Sequence, residues 1–419
     1  MLPLLIPISA LLISNALLLV GHGLLLTLLP IVASTSGFSD TQVALTGSAY
    51  FLGFVSGCIA TPNILQRVGH IRSFAVLATL YSAIILLFPW VPEFFSWLLL
   101  RFFVGSAISG LYMIIESWLN ERASTDNRGT ILSVYTMLNM LMIAVGQQLM
   151  NFGGADNYRL FTLAAIFVSV AIIPVSLTLS LAPAPIQKVT VSLPKVWRHS
   201  HIGLIGAVVS GLTGGAFWSL APVYARDSGF DNFQLSLFMS ATVLGGAFFQ
   251  LPLGKLSDHY DRRIILMYSA LAGAIISVLF VLAPYTDTEF GGWRTSALAF
   301  LWGGMATTLY AICLAHANDN ATATDFVEIG SGMLITLGVC SALGAPIASL
   351  VMSVIGPEGL YIYMAACLMA FVVIIMSRRR THVLPDILES GETFRPVTDM
   401  TTPAAYEMDP RHEEDAVAP

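Results

Sequence analysis

Twelve stretches of this chain stay apolar for about the twenty residues a helix needs to cross the hydrocarbon of a bilayer. In that solvent a peptide group finds no water, so each stretch must close its backbone hydrogen bonds within a helix. They fall at 3–30, 42–64, 74–92, 95–117, 130–150, 160–182, 201–224, 234–253, 264–284, 293–315, 329–352 and 359–377. Charged residues make up only 11% of the 419, against roughly a quarter in a soluble domain. That excludes a soluble enzyme and a disordered regulator. The net charge of −6, with acids gathered near the end of the chain, also excludes a nucleic-acid surface. Cys58, Cys313, Cys340 and Cys367 are scattered through apolar stretches without metal-ligand spacing, so packed thiols and no metal are expected. The first stretch has no basic leader and no small-residue cleavage site, and is read as a span rather than a signal peptide.

Lysine and arginine set the orientation. With the amino terminus in the cytoplasm, fifteen basic residues lie inside and three (Arg159, Arg226, Arg294) outside, while Arg101 alone falls within a span. Both termini are therefore expected in the cytoplasm. A polar connection at 183–200 divides an amino-terminal half, 1–182, from a carboxy-terminal half, 201–378. Residues 379–419 are acidic, dotted with proline and poor in large apolar groups, and are expected to be a disordered cytoplasmic tail.

The halves repeat one another. A shift of 192 carries Gly23 onto Gly215, Pro30 onto Pro222, and Ser36-Gly37-Phe38 onto Ser228-Gly229-Phe230; Gln42 then meets Gln234, and Gly53 meets Gly245. Further along a shift of 198 carries Leu111-Tyr112 onto Leu309-Tyr310, Asn120 onto Asn318 and Gly146 onto Gly344. Two parallel six-helix halves about an axis normal to the membrane follow, and alternating access about a midplane site is the motion such halves support.

After the eighth stretch runs Gly254-Lys255-Leu256-Ser257-Asp258-His259-Tyr260-Asp261-Arg262-Arg263. Here the chain resembles the major facilitator superfamily, whose signature Gly254, Asp258, Arg262 and Arg263 match. His259 stands where a stronger base is usual and Asp261 where Gly is usual. The equivalent connection of the first half is degenerate, with Pro62 for Gly and Gln66 for Asp, although Arg67 and Gly69 remain. The end of the fourth stretch, Glu116-Ser117-Trp118-Leu119-Asn120-Glu121-Arg122, its mate His316-Ala317-Asn318-Asp319, and Gly146-Gln147 look like the YcaD-like bacterial subgroup of that superfamily. The resemblance covers roughly residues 10 to 375. It implies the major facilitator fold, an all-α membrane protein of twelve transmembrane helices in two pseudo-symmetric halves.

A cytoplasmic gate is expected from Arg67, Arg72, Glu116, Asn120, Glu121, Arg128, Gly254, Asp258, Arg262, Arg263, Asn318 and Asp319. Asp258 is suited to accept hydrogen bonds from the amino end of a facing helix, and Arg262 and Arg263 to pair with acids of a neighbouring loop. Glu116 and Glu121, at the membrane's inner edge, are expected to pair with Arg67 or Arg72. Polar groups within the spans are costly there and so are candidates for the cavity: Asn15, His22, Arg101, Asn139, Gln147, Trp218, Gln250 and Tyr310. Arg101 followed by Gly105 partly matches the family's antiporters, but Val104 replaces their usual Gln, and Gly146-Gln147 lacks their Gly-Pro. Arg101 must find a partner across the bundle, bind an anion, or snorkel to the headgroups. His22 and Glu116 are the proton-coupling candidates.

A secondary transporter is the reading that follows: a small organic solute moved across the inner membrane by alternating access, in proton-linked export, by a monomer embedded in lipid and without cofactor or catalytic residues. A uniporter, a proton symporter, and a sensor or assembly partner that has lost turnover are the alternatives. No nucleotide-binding loop is present to couple ATP.

Overall fold

In the computed structural model, residues 8–123, 127–153, 158–178, 192–282, 291–319, 321, 325–379, 394, 396–397 and 401–406 are described. Twelve helices among them are long and apolar enough to span a membrane. They are α1 Ser9–Thr35, α2 Asp40–Val68, α3 His70–Trp90, α4 Phe94–Arg122, α5 Arg128–Phe152 and α6 Tyr158–Ser176 in the first half. The second half holds α7 His201–Asp227, α8 Asn232–His259, α9 Arg262–Leu282, α10 Gly292–Asn318, α11 Val327–Ile355 and α12 Gly359–Arg378. Exposed apolar side chains such as Phe95, Leu350 and Val354 give the bundle an outer face suited to hydrocarbon.

The repeat read from the sequence is a repeat of turns. After α1, Gly37 takes a left-handed φ of 92°, and after α7 Gly229 takes 84°, a conformation that costs glycine little. In each turn the next residue closes the helix end: Phe38 N–H donates to the Ala33 carbonyl at 3.1 Å, and Phe230 N–H to the Ala225 carbonyl at 3.0 Å. The following helix then opens on a capping box, Ser39 with Gln42 in α2 and Asp231 with Gln234 in α8. Ser-Gly-Phe and the matched glutamines are thus the stop and start signals of one hairpin, used twice.

Packing repeats at the same shifts. A methyl group on Gly53 would collide with the Phe102 carbonyl oxygen, and one on Gly245 with that of Phe300. The pairs Gly105 with Tyr50 and Gly303 with Thr242 obey the same rule, as do Gly146 with Val20 and Gly344 with Leu212. Gly23 lies against Ile143, and Gly215 against Ser341. Such backbone approach is how helices associate in lipid, where apolar surface alone gives no preference for helix over acyl chain. It joins α1 to α5 and α2 to α4 in one half, and α7 to α11 and α8 to α10 in the other. Across the halves, α2 runs against α11 and α5 against α8.

The even-numbered connections carry the basic residues, and their end of the bundle is called the basic end below. The linker at 183–200 enters it through a short helix, Leu193–His199; residues 183–191 lie outside the described residues. Lys195 Nζ reaches Asp325 at 2.5 Å and Glu328 at 2.6 Å, tethering that helix to the start of α11. Hydrogen bonds to Asp325 and then Glu328 hold the Lys195 ammonium above its ordinary value. A raised lysine keeps its attraction below the ordinary lysine range and loses it only above, so the tether is insensitive to pH near neutrality.

The expectation of a disordered tail over 379–419 needs correction for part of its length. Phe394, Val397, Thr401, Thr402, Ala404 and Ala405 are buried, and a short helix, Pro403–Tyr406, packs against α4 and α11. Average composition of the tail hides this segment, because its small and apolar residues lie between acidic neighbours. The other expectations for the tail, at 380–393, 395, 398–400 and 407–419, fall outside the described residues. If the glycine contacts carry the fold, Gly53→Val and Gly245→Val each destabilise the detergent-solubilised protein by about 1–3 kcal/mol. Gly214→Ala, whose added methyl meets open space, leaves the melting midpoint unchanged.

Candidate functional site

Helix α1 is the most enclosed span; Asn15 and His22 find partners in its own half, while Ser14 Oγ and Thr27 Oγ1 are buried with none among the described residues. Asn15 Nδ2 donates to Asn139 Oδ1 on α5 at 2.5 Å. His22 lies between two phenols, with Nδ1 2.7 Å from Tyr81 Oη on α3 and Nε2 3.2 Å from Tyr50 Oη on α2. The Arg101 guanidinium sits over the Tyr50 ring, 4.9 Å from its centre, while its Nε donates to the Thr46 carbonyl at 3.4 Å. Arg101 is only 4% exposed, so it does not snorkel. None of the ion pairs found among the described residues includes it. A buried cation stacked on an aromatic face is a known stable arrangement, and it leaves positive charge inside the first half, eight residues into α4.

Tyr50 is the link from this cluster to the space between the halves. With Phe54 on α2, Ser210 and Trp218 on α7, and Leu337 and Ser341 on α11, it lines a narrow cavity of about 20 Å³. That is room for about one water molecule, while organic ligands occupy clefts of roughly 300–1,000 Å³. At this point Tyr50 and Phe54 of the first half face Trp218 and Leu337 of the second. Trp218, an expected cavity residue, lines this space directly, and His22 and Arg101 stand one layer behind it through Tyr50. Gln147 is fully buried on α5, and neither of its amide atoms has a hydrogen-bond partner among the described residues. Tyr310 is buried on α10.

Toward the end opposite the basic one, hydroxyls and amides join the halves. Ser48 Oγ on α2 donates to the Ala342 carbonyl on α11 at 2.5 Å, and Ser349 Oγ lies 3.4 Å from Thr41 Oγ1. Gln148 Nε2 on α5 donates to Ser240 Oγ on α8 at 2.6 Å, beside a bond from Asn151 Nδ2 to Ser236 Oγ at 3.0 Å. Sequence reading missed this seam, since serines inside apolar helices usually bond their own backbone.

At the basic end the signature residues form a cluster within the second half. Arg262 pairs with Asp258 at 3.2 Å and through Nε with Asp319, just after α10, at 3.0 Å, and donates to Ser257 Oγ at 3.0 Å. His316 Nδ1 adds a contact to Asp319 at 3.4 Å. Arg263 gives its backbone N–H to Asp261. Asn318 is buried at the end of α10, and Asn120 and Arg128 are half-buried in the first half.

Three expectations change here. Asp258 does not meet the amino end of a facing helix: both its oxygens accept the Phe394 N–H, at 2.8 and 2.7 Å. Gly254 gives that Phe394 ring its place, since any side chain at 254 would overlap it. Glu116 does not pair with Arg67 or Arg72, which are exposed, as is Glu121. It is completely buried and accepts from Tyr135 Oη at 3.2 Å, from Thr402 N at 2.9 Å and from the Thr402 hydroxyl. Gln250, expected in the cavity, instead donates to the Val397 carbonyl at 2.6 Å. In all three cases the partner is the carboxy-terminal segment, whose return to the bundle nothing in the local sequence signals. For the Arg262–Asp319 pair, a double-mutant cycle with Arg262→Gln and Asp319→Asn is expected to read a coupling of about 0.5–3 kcal/mol in detergent unfolding.

Comparison with known proteins now has a geometry to act on. The sequence profile of the Major Facilitator Superfamily matches residues 11–332 and 203–404. The uncharacterized MFS-type transporter YcaD of Escherichia fergusonii is 24% identical over 378 residues, 90% of this chain and 96% of that protein. An uncharacterized MFS-type transporter of Yersinia pestis is 27% identical over 380 residues, 89% of this chain and 96% of its own length. Among solved structures, the nucleoside transporter NupG superposes with a TM-score of 0.73 at 15% identity, covering 89% of this chain and 99% of NupG. A D-xylose-proton symporter does so with 0.66 at 14%, covering 92% and 99%. At those identities the structural likeness establishes the fold. With the profile running over most of the spans and the duplicated hairpin in place, the chain belongs to the Major Facilitator Superfamily of membrane transporters.

Proposed function

We propose that the chain is a monomeric secondary transporter of a bacterial inner membrane, moving a small organic solute by proton-linked export, with its basic end and both termini in the cytoplasm. The distribution of lysine and arginine, fifteen against three, supports that orientation. The observation that carries the reading is the cavity at mid-depth, walled by Tyr50 and Phe54 of one half and Trp218 of the other. In an arrangement where these walls part far enough to admit a solute, it touches both halves, so rotation of one against the other changes which side it faces.

The seam opposite the basic end rests on a few hydroxyl and amide hydrogen bonds, each worth about 0.5–1.5 kcal/mol net. A solute with a few kcal/mol of preference for the alternative arrangement is enough to shift the population. Of the two proton-coupling candidates, Glu116 is the stronger. Its bonds come from neutral donors, so a proton can come and go without breaking an ion pair, whereas His22 has both ring nitrogens engaged inside the first half. Arg101, stacked on Tyr50 and without a carboxylate partner among the described residues, favours a solute that carries negative charge.

Proton symport is the second reading, and the likeness to a D-xylose-proton symporter favours it. The two differ in the direction of solute relative to the proton gradient.

A thermal-unfolding screen of the purified protein against anionic metabolites tests the site. A solute at one hundred times its dissociation constant stabilises the folded state by about 2.7 kcal/mol; Trp218→Ala and Arg101→Gln are expected to abolish that gain. In inside-out vesicles the same solute is expected to accumulate when the lumen is acidified. Glu116→Gln should lose this acceleration while solute–solute exchange continues. Gradient-driven flux that survives in Glu116→Gln removes Glu116 from the coupling, and accumulation in right-side-out vesicles overturns export in favour of symport.

A further inference from the structure

The carboxy-terminal segment is built into the mouth at the basic end. Four of its backbone groups are answered by side chains of three different spans: Glu116 on α4 takes the Thr402 N–H, Thr136 on α5 donates to the Pro396 carbonyl, and Gln250 and Asp258 on α8 bond Val397 and Phe394. A polar backbone loses water on burial and is stable there only when each group finds a partner. The match reaches apolar contacts too, with the Phe394 ring seated against Gly254. Residues 380–393, fourteen in number, can span up to about 45 Å, ample for a return from the end of α12.

The partners belong to both halves. Glu116 and Thr136 lie in the first, and Gln250, Asp258 and Gly254 in the second. Alternating access requires α4 and α5 to approach α10 and α11 at this end, and the short helix Pro403–Tyr406 is packed against both α4 and α11. We propose that Phe394, Pro396, Val397 and residues 401–406 form an intramolecular plug: a wedge that blocks solute passage at the basic end, prevents the halves from closing there, and must leave for transport to proceed. The plug is independent of proton coupling, because it stands on the space it fills and the groups it covers.

The probe is dicyclohexylcarbodiimide, an apolar reagent for buried carboxyl groups, with adduct at Glu116 followed by peptide mass spectrometry of the full chain in liposomes. Thr402→Pro removes that residue's two donors to Glu116 while Tyr135 Oη remains, and Phe394→Ala removes the ring at Gly254. The doubly substituted chain is expected to label at Glu116 about tenfold faster than the unmodified one, as loss of a hydrogen bond to a charged group implies. A chain shortened to residue 381 should match that rate, which guards against a fold defect in the substituted protein. A synthetic peptide of residues 392–406 added to the shortened chain is expected to restore protection, and a scrambled peptide is not. Equal labelling rates in the full and shortened chains, or a peptide without effect, overturn the plug.

Discussion

Eight glycines set against carbonyl oxygens of neighbouring helices hold each half of this protein together, and everything that moves or binds does so around them. Lipid offers a helix nearly the same apolar environment as another helix does, so association depends on how closely backbones can pack. Gly53 and Gly105 let α2 and α4 touch, and Gly245 and Gly303 do the same for α8 and α10. Each half is consequently a rigid body. Between the halves, where Gly47 packs on the Ser219 side chain and Gly338 on that of Val55, hydrogen bonds of serine hydroxyls and glutamine amides such as Ser48 and Gln148 add contacts that exchange partners at low cost. Rigid halves joined by replaceable bonds are the mechanical condition for rocking.

Electrostatics divides along the same line. The charged pairs of the second half, Arg262 with Asp258 and Asp319, sit largely buried at the basic end, where the attraction offsets the cost of removing the charges from water. Their effect is to fix the ends of α8, α9 and α10 as a unit. Deep in the first half a single buried cation, Arg101, rests on the face of Tyr50 with no paired carboxylate among the described residues. Burial of charge is expensive, and a tyrosine face offsets part of that cost. The same tyrosine opens onto the cavity between the halves. Charge is therefore presented to the cavity through an aromatic ring rather than by direct exposure.

The signature at residues 254–263 takes on a different meaning in this chain. Gly254, Asp258 and Gln250 turn toward the carboxy-terminal segment, and Glu116 of the first half does so as well. A connection that reads as a latch between helices is also a receptor for the end of the chain. Its first-half counterpart, with Pro62 and Gln66 in place of the family residues, leaves Arg67 and Arg72 exposed.

Span count, the division into halves and the duplicated hairpin follow from the sequence alone, because length of apolar run, capping chemistry and a left-handed glycine are local properties. Gly37 and Gly229 announce their turns without reference to anything else in the molecule. The coincidence of Gly146 with Gly344, visible as a shift, becomes a packing rule once Val20 and Leu212 are seen opposite. Partners of isolated polar residues were not legible in the same way. His22 was identifiable as unusual, yet Tyr50 and Tyr81 reach it from helices 28 and 59 residues away. Glu116 was placed at an edge beside arginines, and only the return of Thr402 across 286 residues explains its burial. A hydrogen bond between distant segments is decided by which helix faces meet, and that is set by the tertiary packing of the glycine contacts, not by any residue's neighbours in the chain.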